Sequence, residues 1–247
     1  MKHLNYFVVS PTYNSQDYIL RCLESVRVQQ VPENTTVYHV VVNDGSTDGT
    51  LSIIENFLEL NKNLRIVNHE KNLGTMYSHI DGISECYFGS YDDVIIHLDG
   101  DDWFYDSNAI LRIHEEYKNP DCLATYGSYK TTNGSDCVCK PVTDNNFREK
   151  ILTGWPFSHP RTFRRKMFSR IKMKDLKDEA GNLYTSAQDV AIFLPILEMA
   201  GKDRIAYIPE TLVTYNVDNP LNDHKIRLQD QVRCALSIYK KQRYLQI

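Results

Sequence analysis

The chain has 247 residues, 42% of them apolar and 24% charged, and its 28 basic and 32 acidic side chains leave a formal charge of −4. That composition suits a soluble globular domain with a sizeable core and excludes collagen-like, coiled-coil and disordered chains. The mildly acidic balance offers no broad electrostatic footprint for nucleic acid, and no apolar run reaches the roughly 18 to 20 residues of a membrane span.

The amino terminus, MKHLNYFVVSPTYN, has one Lys, a short apolar stretch and no small-residue cleavage site, so it does not read as a signal peptide. Six cysteines without a CxxC pair then read as reduced thiols. The expected compartment is the cytoplasm, with peripheral membrane attachment through the last helix left open. In chain order, Leu4 to Val9 predicts a strand ending at Ser10-Pro11, and Ile19, Leu20, Leu23 and Val26 predict a helix. The β-branched run Val37 to Val42 predicts a strand buried on both faces. Leu51, Ile54 and Leu58 mark a second helix, and Leu64 to Val67 a third strand. Met76, Ile80, Ile83 and Tyr87 form one helical stripe, and Val94 to Leu98 is a fourth strand halted by acidic residues.

Strands alternating with helices predict an α/β protein with a mostly parallel, helix-flanked sheet, whose ligands collect at the carboxyl ends of the strands. The second half is less regular. A helix with Ile110, Ile113 and Tyr117 precedes a strand from Cys122 to Tyr129, and the polar segment 130–146 reads as a surface loop. A helix from about Gln188 to Ala200 follows, then two short strands, Ile205 to Ile208 and Leu212 to Val217. An amphipathic helix from about 223 onward ends the pattern. His97 reads as a satisfied core residue within its strand.

Three strand ends carry chemistry. Asp99-Gly100-Asp101-Asp102 follows the strand Val94 to Leu98, and clustered carboxylates repel unless a cation or donors neutralise them. Hard oxygen ligands of this kind suit Mg²⁺ or Mn²⁺. Asp44, in VVVNDGSTD, can accept from a base or ribose, although the same residues also satisfy turn and helix-cap chemistry. Tyr13, in SPTYN, offers an aromatic face for a base or simply an exposed turn.

The stretches VVSPTYNSQDYILRCLESVRVQ, VVVNDGSTDGT, HEKNLGT and IIHLDGDDW resemble the inverting family 2 glycosyltransferases of GT-A fold, over roughly residues 4 to 125 and more weakly to about 225. The resemblance implies one domain over 1–247, with a nucleotide-sugar-binding half (1–125) and a smaller acceptor-binding half (126–247). It implies transfer of a sugar from a nucleotide diphosphate donor, UDP by default, to a hydroxyl of a glycan, a lipid-linked carrier or a protein. Pro11, Thr12, Tyr13, Asp44, Lys71, Asn72, Gly74, Asp99 and Gly100 would then lie around the donor. Asp101 and Asp102 of the D-x-D region would hold Mn²⁺ or Mg²⁺, with His224 a further ligand. The base would be an acid opening a late helix; here Gln188-Asp189 keeps only the second acid of a common Glu-Asp pair, so Asp189 is assigned, with Asp178 and Glu179 as fallbacks. Trp155, His159 and Arg161 would stand on the acceptor side, with Arg161 facing a phosphate. A nucleotidyltransferase and a non-catalytic glycan- or nucleotide-binding module are the alternatives. The first lacks its Gly-rich loop here, and the second would be expected to lose the acids that this chain keeps.

Overall fold

The computed structural model describes residues 3–247, the side chains of residues 223 and 224 excepted. The first half alternates as expected: β1 (Leu4–Thr12), α1 (Ile19–Arg27), β2 (Thr35–Asn43), α2 (Thr50–Leu58), β3 (Leu64–Asn68), α3 (Thr75–Glu85) and β4 (Val94–His97). Next come β5 (Trp103–Phe104), α4 (Ala109–Tyr117), β6 (Ala124–Thr131), β7 (Asp136–Cys137), α5 (Lys150–Thr153), β8 (Ser158–Arg164) and α6 (Arg165–Phe168). The chain ends with α7 (Gln188–Ala200), β9 (Ile205–Tyr215), α8 (Asp223–Ile226) and α9 (Leu228–Lys240).

The strands among the described residues form one sheet, ordered β3-β2-β1-β4-β8-β6-β9-β5, with β7 paired to β6. The β3-β2-β1-β4 part is parallel, β8 runs antiparallel to β4 and β6, and β9 is parallel to β6. Successive side chains leave opposite faces of a strand, so Tyr6 and Val8 enter one core while Phe7 and Val9 enter the other. Helices α1, α2 and α4 cover the first face through Leu23, Ile54 and Ile113; α3, α7 and α9 cover the second through Met76, Leu197 and Ile238. Two covered faces explain why Val40, Val41 and Val42 are all buried. The buried Arg148 guanidinium ties α7 to α9, pairing with Glu198 at 2.8 and 3.0 Å and donating to the carbonyls of Ile238, Tyr239 and Lys241.

Several boundaries depart from the sequence expectation. β1 runs through Ser10-Pro11 to Thr12. The Pro11 carbonyl accepts from Gly100 N at 2.9 Å, on the side where β4 has already ended, so the missing N–H forfeits no ladder bond. Tyr87 lies beyond α3 in a short 3₁₀ turn and is 69% exposed, off the buried stripe. Segment 130–146 is not all surface loop: Thr131 and Asn133 accept from Ser135 N, the chain turns back into β7, and Cys139 is buried. The two strands expected over 205–217 are one, because β9 slips register against β6 past Pro209-Glu210 and continues. The last helix breaks at Arg227 into α8 and α9. His97 is buried, yet its Nε2 has no partner; its ring lies on that of His79, centroids 4.6 Å apart.

Two stability predictions arise here. Gly45, just after β2, has φ +67°, and a Cβ there would lie 2.3 Å from the Lys71 carbonyl carbon. Gly45→Ala combines left-handed strain with overpacking and should cost about 2 to 4 kcal/mol, read as a lower urea midpoint at unchanged m. Burial lowers the pKa of His39 and of His79 from 6.5 to about 3. Below pH 6.5 the unfolded chain takes up protons that the folded chain refuses, so the stability present above 6.5 is lost as pH falls toward 3. The melting temperature should therefore drop on acidification, and drop less steeply in His39→Asn.

Candidate active site

The carboxyl ends of β1, β2 and β4 open on a cleft of about 770 Å³. Pro11, Thr12, Tyr13, Asp44, Asn72, Gly74, Asp99 and Asp101 line it, and the second half adds Trp155, His159, Arg161, Gln188 and Asp189. Most of the residues singled out in the sequence are therefore brought together. Lys71 is exposed and does not line the cleft. Gly100 lies under it, where a Cβ would come 2.5 Å from Thr12 Cβ. The fallback acids Asp178 and Glu179 are also outside the lining, and Asp178 Oδ1 instead accepts from Ala180 N and Asn182 N in a turn. The side chain of His224 lies outside the described residues.

Asp44 is only 4% exposed, and both of its oxygens are engaged. Oδ1 accepts from Leu73 N at 2.9 Å and lies 2.8 Å from His69 Nδ1; Oδ2 accepts from Gly74 N at 2.9 Å. His69 Nε2 sits 3.0 Å from Asp81 Oδ2, so an Asp-His-Asp chain carries the turn before α3. Close approach of this turn to Gly45 is what requires glycine there. Tyr13, by contrast, presents its ring at the cleft with 38% exposure.

The acidic motif is fastened by the segment after β9. Asp102 is fully buried; Oδ1 accepts from Asn216 N at 2.8 Å, while Oδ2 has no partner. Burial, then the charges of Asp101 and Asp99, push its carboxyl well above the usual carboxylate range. Asp101 Oδ2 accepts from Asn219 Nδ2 at 2.7 Å. Asp99 Oδ2 lies 4.0 Å from His159 Nε2, and ligand atoms of Asp99, Asp102 and His159 fall within 4.8 Å of one another. An orphaned carboxylate oxygen among three acids fits a divalent cation. Candidate ligand geometry thus centres on Asp99 and Asp102 with His159, whereas the sequence pointed to Asp101 and Asp102 for the cation and to the acceptor side for His159.

Asp189 stands in the first turn of α7, which starts after Ala187 in a left-handed conformation (φ 56°). Its side chain is 22% exposed, with Oδ2 3.8 Å from Arg161 Nη1. Arg161 faces inward: it is 7% exposed, and Nη2 donates to His159 Nε2 at 3.1 Å. Burial first, then Arg161, hold the His159 imidazole well below its ordinary pKa. Trp155 is half-buried against Phe157, centroids 4.9 Å apart, with its indole N–H unpartnered. Sequence reasoning missed His69, Asn216 and Asn219. Histidine and asparagine beside turns are commonplace, and no local signal tied them to acids far along the chain.

A curled, mostly parallel sheet with an acidic motif at the end of a central strand is the GT-A architecture, and solved structures agree. The chain superposes on Staphylococcus aureus TarS 1–349 in complex with UDP with a TM-score of 0.67 at 21% identity, covering 88% of this chain and 61% of that one. It superposes on the mannosyltransferase PcManGT of Pyrobaculum calidifontis, in complex with GDP-Man and Mn²⁺, with a TM-score of 0.61 at 19% identity, covering 92% and 60%. The chain belongs to glycosyl transferase family 2, whose sequence model matches residues 7–177.

Among curated relatives, an uncharacterized glycosyltransferase of Haemophilus influenzae is 27% identical over 226 residues, covering 85% of this chain and 64% of its own length. A poly(ribitol-phosphate) beta-glucosyltransferase of Bacillus spizizenii is 30% identical over 128 residues, covering 51% of this chain and 19% of its own length. The chain thus spans less than two thirds of the length of these relatives. Among the described residues no helix is long and apolar enough to cross a membrane.

Proposed function

We propose that the chain transfers a sugar, with inversion, from a nucleotide diphosphate donor to an acceptor hydroxyl. The observation that carries this reading is one cleft holding both the acidic motif and Asp189. The assignment divides the domain into a donor half (1–125) and an acceptor half (126–247). Tyr13 stacks on the nucleobase, and Pro11, Thr12, Asp44, Asn72 and Gly74 shape its pocket, Asp44 chiefly by holding the 69–74 turn. Asp99 meets the ribose side, and Asp101 with Asp102 and Asp99 would hold Mn²⁺ or Mg²⁺. Such a cation, when bound, stabilises the charge that develops on the departing diphosphate. Asp189 takes the proton from the acceptor hydroxyl as it attacks the anomeric carbon. Inversion in one displacement requires no protein nucleophile. Trp155 and Arg161 form the acceptor-side wall, and His159 stands between that wall and the cation site, within reach of Asp99 and Asp102.

A UDP-sugar is the first donor to try, in keeping with UDP in the TarS complex, while GDP-Man in the PcManGT complex marks the second. The acceptor hydroxyl belongs to a glycan, a lipid-linked carrier or a protein; the poly(ribitol-phosphate) relative makes a phosphate-containing polymer a natural choice. A thermal-shift screen of nucleotide sugars with and without Mn²⁺ tests the reading. The expected result is one donor that raises the melting temperature only with the cation. No stabilisation by any nucleotide sugar, together with no release of nucleotide, would reject it.

A further inference from the structure

The interior holds three arginines on or beside the same sheet that differ in how they are satisfied. Arg148 pairs with Glu198 and caps three carbonyls at the end of α9. Arg164 donates to the carbonyls of Cys122, Asp92, Tyr117 and Asn119. Both serve the backbone around them. Arg161, on β8 opposite His97 of β4, is different. Its Nη1 makes one hydrogen bond, a long one to the Phe157 carbonyl at 3.4 Å, Nη2 donates to His159 Nε2 at 3.1 Å, and its buried Nε has no partner. Among the described residues its ion pair is with Asp189, at 3.8 Å. A guanidinium kept from water with one N–H unsatisfied is costly, and a backbone-bracing role does not offset it.

We propose that Arg161 is the positioning residue for Asp189, holding Oδ2 so that the other carboxylate oxygen is presented to the acceptor hydroxyl. The inference rests on the glycosyl-transfer reading given above. Its geometry is that of a planar fork fixed from behind: His159 and the Phe157 carbonyl set the guanidinium plane, and Nη1, held by that carbonyl at 3.4 Å, faces Asp189 Oδ2 at 3.8 Å. A separation of 3.8 Å is looser than a charge-assisted hydrogen bond, as is common before substrate binds, and closes by a small side-chain movement when the acceptor arrives. His159 Nε2, which also lies 4.0 Å from Asp99 Oδ2, acts on Asp189 through that arginine.

The test compares Arg161→Met and Arg161→Lys in the full chain, using the donor found by the screen. Arg161→Met should lower kcat by about 10- to 100-fold, the cost of a misplaced catalytic group, with the donor KM within about twofold of wild type. Arg161→Lys, which keeps the charge, should recover at least a third of the lost factor on a logarithmic scale. A kcat for Arg161→Met within about twofold of wild type, or equal losses in the Met and Lys variants, would overturn the proposal. A urea double-mutant cycle between Arg161→Met and Asp189→Ala needs no turnover. Coupled losses support the pairing, and additive losses overturn it. Coupling in a chain that transfers no nucleotide sugar would instead overturn the glycosyl-transfer reading, and with it the base that Arg161 positions.

Discussion

Asp189→Asn should reduce sugar transfer by about 10²- to 10⁴-fold, the range of a positioned general base, while donor affinity stays within about twofold. The reason is geometric. Asp189 lies on the first turn of a buried helix, lines the cleft and is 22% exposed, so it is open to the cleft without being a core residue. Asn has nearly the same shape and keeps an oxygen for Arg161, but it cannot take a proton at neutral pH. The part of the cleft proposed for the donor is lined by strand ends of the first half, which the substitution does not touch. Product formation followed by chromatography and donor binding followed by calorimetry separate the two effects. Transfer at the wild-type rate would show that another group is the base.

Asp101→Ala is expected to have the second largest effect, a loss of at least about 10²-fold in cation-supported turnover, comparable to removing a principal electrostatic stabiliser of the transition state. Asp101 lines the cleft and is not part of the core, and the substitution forfeits its hydrogen bond to Asn219, so the fold should survive. Chelation of the cation should mimic the variant in the wild type, and added Mn²⁺ should restore the wild type alone. Turnover measured across a Mn²⁺ titration checks this, and full activity in a chelator would remove the cation from the reaction. Asp102 is the less informative target: it is fully buried and anchors Asn216, so its removal mixes folding with chemistry.

The strand ends that line the cleft from the first half were legible from sequence because their determinants are local. A strand buried on both faces is a short apolar run, and the residue that stops it is the residue at the sheet edge. Val40-Val41-Val42 ending on Asn43-Asp44, and Val94 to Leu98 ending on Asp99, are therefore both fold signals and site signals. The part of the cleft contributed by the second half was less legible. β8 reads SHPRTFR, with polar and charged residues at positions that are buried. Its strand character comes from pairing with β4 and β6 and not from its own pattern. Likewise, the family resemblance put Lys71 where a basic residue could reach the base or diphosphate, and the turn that Asp44 holds leaves it exposed, outside the lining of the cleft.

The sequence by itself therefore determined the alternating α/β architecture, the strand ends that carry Thr12, Asp44 and Asp99, and an acid at the start of a late helix. Only the tertiary structure decided what surrounds those groups. It set Asn216 on Asp102, Asn219 on Asp101, the 69–74 turn on Asp44, and Arg161 between His159 and Asp189. The physical reason is that periodicity and turn chemistry act over a few residues, whereas these contacts join segments brought together by sheet register. His97 faces Arg161 across β4 and β8 because two strands far apart in the chain pair antiparallel at that register, and no local pattern encodes which residue will stand opposite.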